Sequence, residues 1–215
     1  MSETVTAPSG VKLGAVLAFA IVTGTLSWAI ARPALVGARP SFLVSFTFLG
    51  IATALVAPRL VGRRVTALGL TIGNWKTGRW LLLAGMPVAL LVGFLSADSP
   101  ALAAEYPLGP VTRDLGSFLP HALGYLVYYV GFEFFFRGFL LLGLQERLGA
   151  RRANLLQSVL AVIIHAGKPI SEVAAAFPGS LVFGWLTLRT GSIWYSVALH
   201  WLVGVSLDWY IIGGS

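Results

Sequence analysis

Residues 131–147 read GFEFFFRGFLLLGLQER. Up to Leu144 the stretch is Phe, Leu and Gly throughout, except for Glu133 and Arg137. Such a run is hydrophobic enough for a membrane-spanning helix, yet a charged side chain at the centre of one costs about 2.5–3.5 kcal/mol on insertion scales. Glu133 and Arg137 are four residues apart with the acid first, the favoured order for a helical ion pair. The two charges therefore share one helix face, and that face turns toward protein rather than lipid. The stretch implies a bundle of helices that encloses it.

The rest of the chain agrees. Of 215 residues, 57% are hydrophobic and only 11% are charged, and the mean hydropathy is +0.83. Soluble domains carry roughly 25% charged residues, so a soluble fold is excluded. The net charge of +7 comes from basic residues in short loops between apolar runs. That is the pattern of cytoplasmic membrane loops and not of a nucleic-acid-binding face. There is no cysteine, which excludes disulfides, thiol nucleophiles and Cys-ligated metals.

A spanning helix needs about 20 apolar residues. Runs that qualify lie near residues 13–31, 42–60, 80–97, 118–143, 153–167, 173–188 and 193–212. The expectation is an all-α, polytopic transmembrane helix bundle of about seven helices, six to eight, forming a single integral membrane domain over residues 1–215. Ala29-Ile30-Ala31 resembles a signal-peptidase site, but the apolar run before it is long for a cleaved leader, so a retained first helix is expected. Arg59, Arg63, Arg64, Lys76 and Arg79 between the second and third runs have no acid among them, and Glu146, Arg147, Arg151 and Arg152 follow the fourth. These loops are expected in the cytoplasm, which puts the N-terminus inside. The loop with Asp98, Glu105 and Asp114 belongs outside. Only the loop with Arg32 and Arg39 runs against this arrangement. A break of the fourth run at Arg137 would give eight spans and invert the sidedness of every later loop.

Few ionisable groups remain at membrane depth: Glu133, Arg137, His165, His200 and Asp208, with Lys168 and Glu172 at the outer end of the fifth run and an interfacial His121. Each has a structural reading. Glu133 and Arg137 make a compensated pair, His165 an interhelical hydrogen bond, and His200 and Asp208 flank a helix contact at Gly204. Pro169 deprives the carbonyl of His165 of its helical partner, and such irregular backbone is tolerated only in protein or beside a wet cavity. Together, one Glu and two His on three spans supply the parts for activating water. The same set contains familiar zinc ligands. The signatures H-E-x-x-H, G-x-S-x-G and G-x-G-D are absent.

At these residues the chain resembles the CPBP family, the CAAX-protease and bacteriocin-processing membrane proteins also called the Abi family. The pattern there is E-E-x-x-x-R followed by Gly, then F-x-x-x-H, then H-x-x-x-N or H-x-x-x-D. Glu133, Arg137 and Gly138 match the first part, His165 the second and His200 the third. The resemblance covers residues 118–209, the family-like core. Phe132 stands in place of the first Glu, Ala161 in place of the Phe, and Gly204 in place of the Asn or Asp. Asp208, one turn on, is the candidate to replace the missing polar group. His165 to Glu172, H-A-G-K-P-I-S-E, looks like a feature of a branch with one Glu in the first motif.

The resemblance implies an intramembrane endopeptidase of the glutamic type, in a bacterial cytoplasmic membrane, that cuts a membrane-anchored protein or peptide near its anchor. Glu133 would deprotonate water, His165 orient it and His200 bind the developing oxyanion, with Arg137 fixing Glu133 and Asp208, Glu172 and Lys168 in support. No cofactor is expected, metal dependence stays open, and the partners are a membrane-anchored substrate and the lipid bilayer, with no nucleic acid. Two other readings remain: a non-catalytic scaffold or immunity protein on the same fold, and a small proton-coupled transporter. Transporters often carry internal repeats, and none is visible here.

Overall fold

The computed structural model describes residues 13–31 and 38–214. Arg32 and the side chain of Arg39 lie outside the described residues. Among those described there are helices and no strand. The helices are α1 (Leu13–Ile30), α2 (Ala38–Val61), α3 (Trp75–Ala97), α4 (Pro100–Glu105), α5 (Leu115–Leu148), α6 (Ala150–Ile164), α7 (Ile170–Thr190) and α8 (Trp194–Gly213). All but α4 and α6 are long and apolar enough to cross a membrane. The chain is a polytopic helix bundle, as its apolar runs require.

The fifth expected span is the short one. α6 has 15 residues, about 22 Å at 1.5 Å per residue, against a hydrocarbon core of about 30 Å. It nevertheless runs between the same two ends as its neighbours. Its start follows Glu146, which pairs with Arg63 of the basic loop at 3.4 Å. Just past its end, Lys168 pairs with Glu105 of the acidic loop at 2.6 Å. The acidic loop itself holds α4, which the expected open loop there did not include.

α5 is the centre of the bundle. Of its most apolar window, 78% is buried, against 17–39% for the other five spans. It is not broken at Arg137, so the eight-span alternative falls away. Instead its α-helix runs Leu115–Glu133, becomes a π-helix over Phe134–Leu142, and resumes as α over Gly143–Leu148. A π turn closes its hydrogen bonds at i→i+5 and is found mostly at functional sites. Here it begins one residue after Glu133.

Close approaches fix α5 and α8 in place. α2 crosses α5 at Gly50 and Gly131, where a Cβ on Gly50 would stand 2.9 Å from the Gly131 Cα. A Cβ on Gly131 would collide with the carbonyl oxygen of Phe46. Along α3, Gly78, Gly85 and Gly93 accept Tyr195, Leu199 and Ser206 of α8 in the same manner. Small residues are what bring helices together in lipid, where hydrophobic burial supplies no net drive.

The basic loop between α2 and α3 folds back against the bundle. Leu68 is fully buried at the end of a short 3-10 turn, Val65–Leu68. The carbonyl of Gly69 accepts the Ile193 N–H at 2.9 Å, that of Leu70 the Trp194 indole at 3.1 Å, and that of Ile72 the Tyr195 hydroxyl at 3.0 Å. Arg63 donates to the Leu142 carbonyl at 2.9 Å, where the π-helix ends. The first three of these bonds satisfy loop carbonyls that no regular ladder reaches.

Candidate active site

Glu133 ends the first α-helical part of α5, and its side chain is wholly buried. Arg137 Nε lies 3.2 Å from Glu133 Oε2. The guanidinium donates from Nη2 to the Ser180 hydroxyl on α7 at 3.1 Å, and it sits within 5.9 Å of the ring centres of Phe132, Phe136 and Phe183. Phe132 and Phe136 of the run, with Phe183 of α7, thus form an aromatic cage around the cation. A cation facing ring planes gains electrostatically from their quadrupoles, more so when desolvated.

The other Glu133 oxygen faces α8. His200 Nδ1 lies 2.7 Å from Oε1. A carboxylate paired with an arginine can only accept, so Nδ1 carries the hydrogen. The second ring nitrogen, Nε2, is then left with its lone pair. Tyr129, Phe132 and Phe183 surround the imidazole, at ring-centre distances of 4.3, 5.3 and 5.0 Å.

His165 caps the C-terminal end of α6. Its Nδ1 is 2.6 Å from the Ala161 carbonyl oxygen, which accepts only, so Nδ1 is the protonated nitrogen here as well. The proline break does not strand the His165 carbonyl, contrary to expectation. Gly167, with φ of 90°, turns the chain so that the Lys168 N–H reaches that carbonyl at 3.0 Å. The turn delivers Glu172 at the start of α7, with Oε1 3.9 Å from His165 Nε2. Tyr106 donates its hydroxyl to the same Oε1 at 2.9 Å, and Lys168 donates to the Tyr106 oxygen at 3.3 Å. Burial, with the Glu172 carboxylate nearby, pushes the Tyr106 phenol well above its ordinary value, so it stays a neutral donor.

Both groups meet at a cavity of about 700 Å³ between α3, α5, α7 and α8, which Arg137, His165, Glu172, Ser180 and His200 line among mostly apolar residues. Glu133 adds no surface to it, being covered by His200 and Arg137. Phe132 is 1% exposed, and its ring centre lies 6.1 Å from His165 and 5.3 Å from His200. A smaller cavity of about 360 Å³ lies toward Trp28 and Lys168. Phe132, His165 and Glu172 line both, and so form the wall between them.

Asp208 is drawn elsewhere. His121 Nε2 is 2.5 Å from Asp208 Oδ2, with both side chains fully buried. His121 is therefore buried within the bundle, and Asp208 faces α5 rather than the cavity histidines. The space beside Gly204 is taken as well, since a Cβ there would collide with the Tyr129 hydroxyl. Sequence reasoning did not single out Ser180, Tyr106, Tyr129 or Phe183. A lone Ser or Tyr on an apolar helix carries no pattern that would mark it. Among the described residues, no group of three or more His, Cys, Asp or Glu is placed to hold a metal ion.

Comparison with known proteins gives one match. The family described as Type II CAAX prenyl endopeptidase Rce1-like matches residues 115–206. No curated protein and no solved structure matches the chain. The matched segment runs from the start of α5 into α8 and holds Glu133, Arg137, His165, Glu172 and His200. Residues 115–206, somewhat under half of the chain, are thus similar to the Rce1-like, CAAX-protease (CPBP) family.

Proposed function

We propose that the protein is an intramembrane endopeptidase that cuts a membrane-anchored protein or peptide with a water activated by the Glu133–His200 pair. One observation carries this reading: His200 has Nδ1 held by a buried carboxylate and its ring on the 700 Å³ cavity. In this arrangement Glu133 does not meet water itself. Its carboxylate fixes the tautomer of His200 and stabilises the imidazolium that forms, while His200 Nε2 takes the proton. An acid that orients and charges a histidine in this way is the logic of hydrolytic triads. Arg137 keeps Glu133 ionised in a dry site, where an unpaired carboxyl would be neutral.

The largely apolar lining and the family's name support a substrate whose anchor stays in the bilayer while its scissile bond enters the cavity, as in a prenylated C-terminus. The positive-inside distribution supports an N-terminus in the cytoplasm.

The test is cleavage of prenylated and unprenylated membrane-anchored peptides by purified protein in liposomes, with Glu133→Gln and His200→Ala alongside. Loss of cleavage in both folded variants is the expected result, and cleavage that survives His200→Ala overturns the assignment. Chelator sensitivity of the wild type would instead make it a metalloenzyme. The Phe132 ring, standing where the family pattern has its first Glu, favours a second reading as a non-catalytic scaffold. Folded wild-type protein that cuts no member of a broad anchored-peptide panel would support that one.

A further inference from the structure

The Glu133–His200 pair accounts for one proton transfer, and amide hydrolysis needs two. Water must lose a proton to attack, and the departing nitrogen must gain one to leave. Beside the same Phe132 ring, and on the same cavity, stands a second carboxylate–imidazole pair, Glu172 and His165.

Its atoms are constrained. His165 Nδ1 is committed to the Ala161 carbonyl, so only Nε2 is free to exchange a proton, and Glu172 Oε1 is 3.9 Å from it. The two side chains are only 16% and 21% exposed. Glu172 Oε2 is buried without a hydrogen-bond partner among the described residues. An imidazole lone pair facing a carboxylate so enclosed leaves acceptors unsatisfied, which costs the full desolvation penalty of each. A proton on His165 Nε2 or on the Glu172 carboxyl turns this contact attractive, and a small approach from 3.9 Å would close it into a hydrogen bond. The charged and titratable neighbours complete the setting. Lys168 is balanced by Glu105, and Tyr106 donates to Glu172 from the loop before α5. Tyr128 and Tyr129 of α5 add only neutral phenols near Glu172.

We propose, on the peptidase reading above, that Glu172 and His165 form the proton-donating pair of the site, supplying the leaving nitrogen while Glu133–His200 takes the proton from water. The water oxygen bonds to the carbonyl carbon as its proton passes to His200 Nε2. The C–N bond then breaks as the proton held by Glu172–His165 moves to the departing nitrogen. A proton returned from His200 through solvent recharges the pair, so that one water is consumed and no other reactant is needed. Phe132 gives the division a physical basis. Its ring packs beside both imidazoles, and with Phe at this position α5 brings one carboxylate to the site, so the acid comes from another helix.

The test compares two substrates that share an acyl part anchored in liposomes, one a peptide amide and one a nitrophenyl ester. Nitrophenolate leaves without needing a proton, so the ester bypasses an acid but not a base. On the amide, Glu172→Gln is expected to lower kcat by at least about 100-fold, the usual worth of a general acid, with KM little changed. On the ester the loss should be far smaller, and Glu172→Asp should recover part of the amide rate. His200→Ala should fail on both. Thermal melting in detergent would show that each variant is folded. Equal loss of amide and ester cleavage in folded Glu172→Gln would overturn the donor role, as would unchanged amide cleavage. Wild type that cleaves neither substrate would overturn the peptidase reading first, and this inference with it.

Discussion

Glu133 on α5 and His200 on α8 are joined at 2.7 Å although 67 residues separate them. Because Glu133 is wholly buried, the carboxylate reaches the cavity only through the imidazole. Glu133→Gln keeps an oxygen for His200 Nδ1 but removes the charge behind it. Cleavage should fall by at least about 100-fold, and mostly in kcat, because the lost interaction strengthens as the imidazolium forms. Single-turnover cleavage in liposomes would separate this from weaker binding.

Breaking the Glu133–Arg137 pair from the other side should cost stability. Arg137→Met leaves a carboxylate buried without its counter-charge, and loss of one partner of a buried pair costs about 3–5 kcal/mol. Replacing both, Glu133→Leu with Arg137→Met, should recover most of that and none of the activity. Unfolding in detergent of the two single variants and the double variant checks the sign.

Asp208 should matter to the fold and not to the chemistry, because His121 holds it away from His200. Asp208→Ala leaves His121 buried without that partner, at about 1–3 kcal/mol. The melting temperature should drop while kcat in the folded fraction stays near that of wild type. A loss of kcat near that of His200→Ala would return Asp208 to the site.

Gly204→Ala should act at a distance of one side chain. Its new Cβ displaces the Tyr129 hydroxyl, and the Tyr129 ring packs on His200 at 4.3 Å. Misplacement by even about 1 Å can cost about 100-fold in rate, so activity should fall without any polar group being changed. Gly204→Ala with Tyr129→Phe removes the worst of the collision, leaving ring carbons 3.0 and 3.1 Å from the new Cβ, and should restore part of the rate.

Much of this was legible in the sequence for identifiable reasons. Span ends followed the basic and acidic loops because charge cannot enter the bilayer cheaply, and α3 and α8 end within a few residues of their apolar runs. The i, i+4 spacing announced the Glu133–Arg137 pair. The proline at 169 announced the end of α6, but not the turn at Gly167 that rescues the His165 carbonyl. Nothing local marks a π-helix, since it differs from an α-helix only in which carbonyl each N–H chooses, so Phe134–Leu142 went unseen. His121 and Asp208, 87 residues apart, each looked peripheral alone. Their pairing depends on how α5 and α8 cross, which no spacing encodes.

That crossing geometry also apportions the work of admitting a substrate. With the backbones of α2 and α5 in contact at Gly131, two residues before Glu133, there is no slack through which that seam could part. α8 is seated along α3 by three glycines in turn. Glu133 and His200 therefore belong to a fixed anvil, and on the peptidase reading proposed above any widening of the entrance falls to α7. That helix carries Glu172 and Ser180, so the same movement that lets a chain in would also set the distance from Glu172 to the scissile bond.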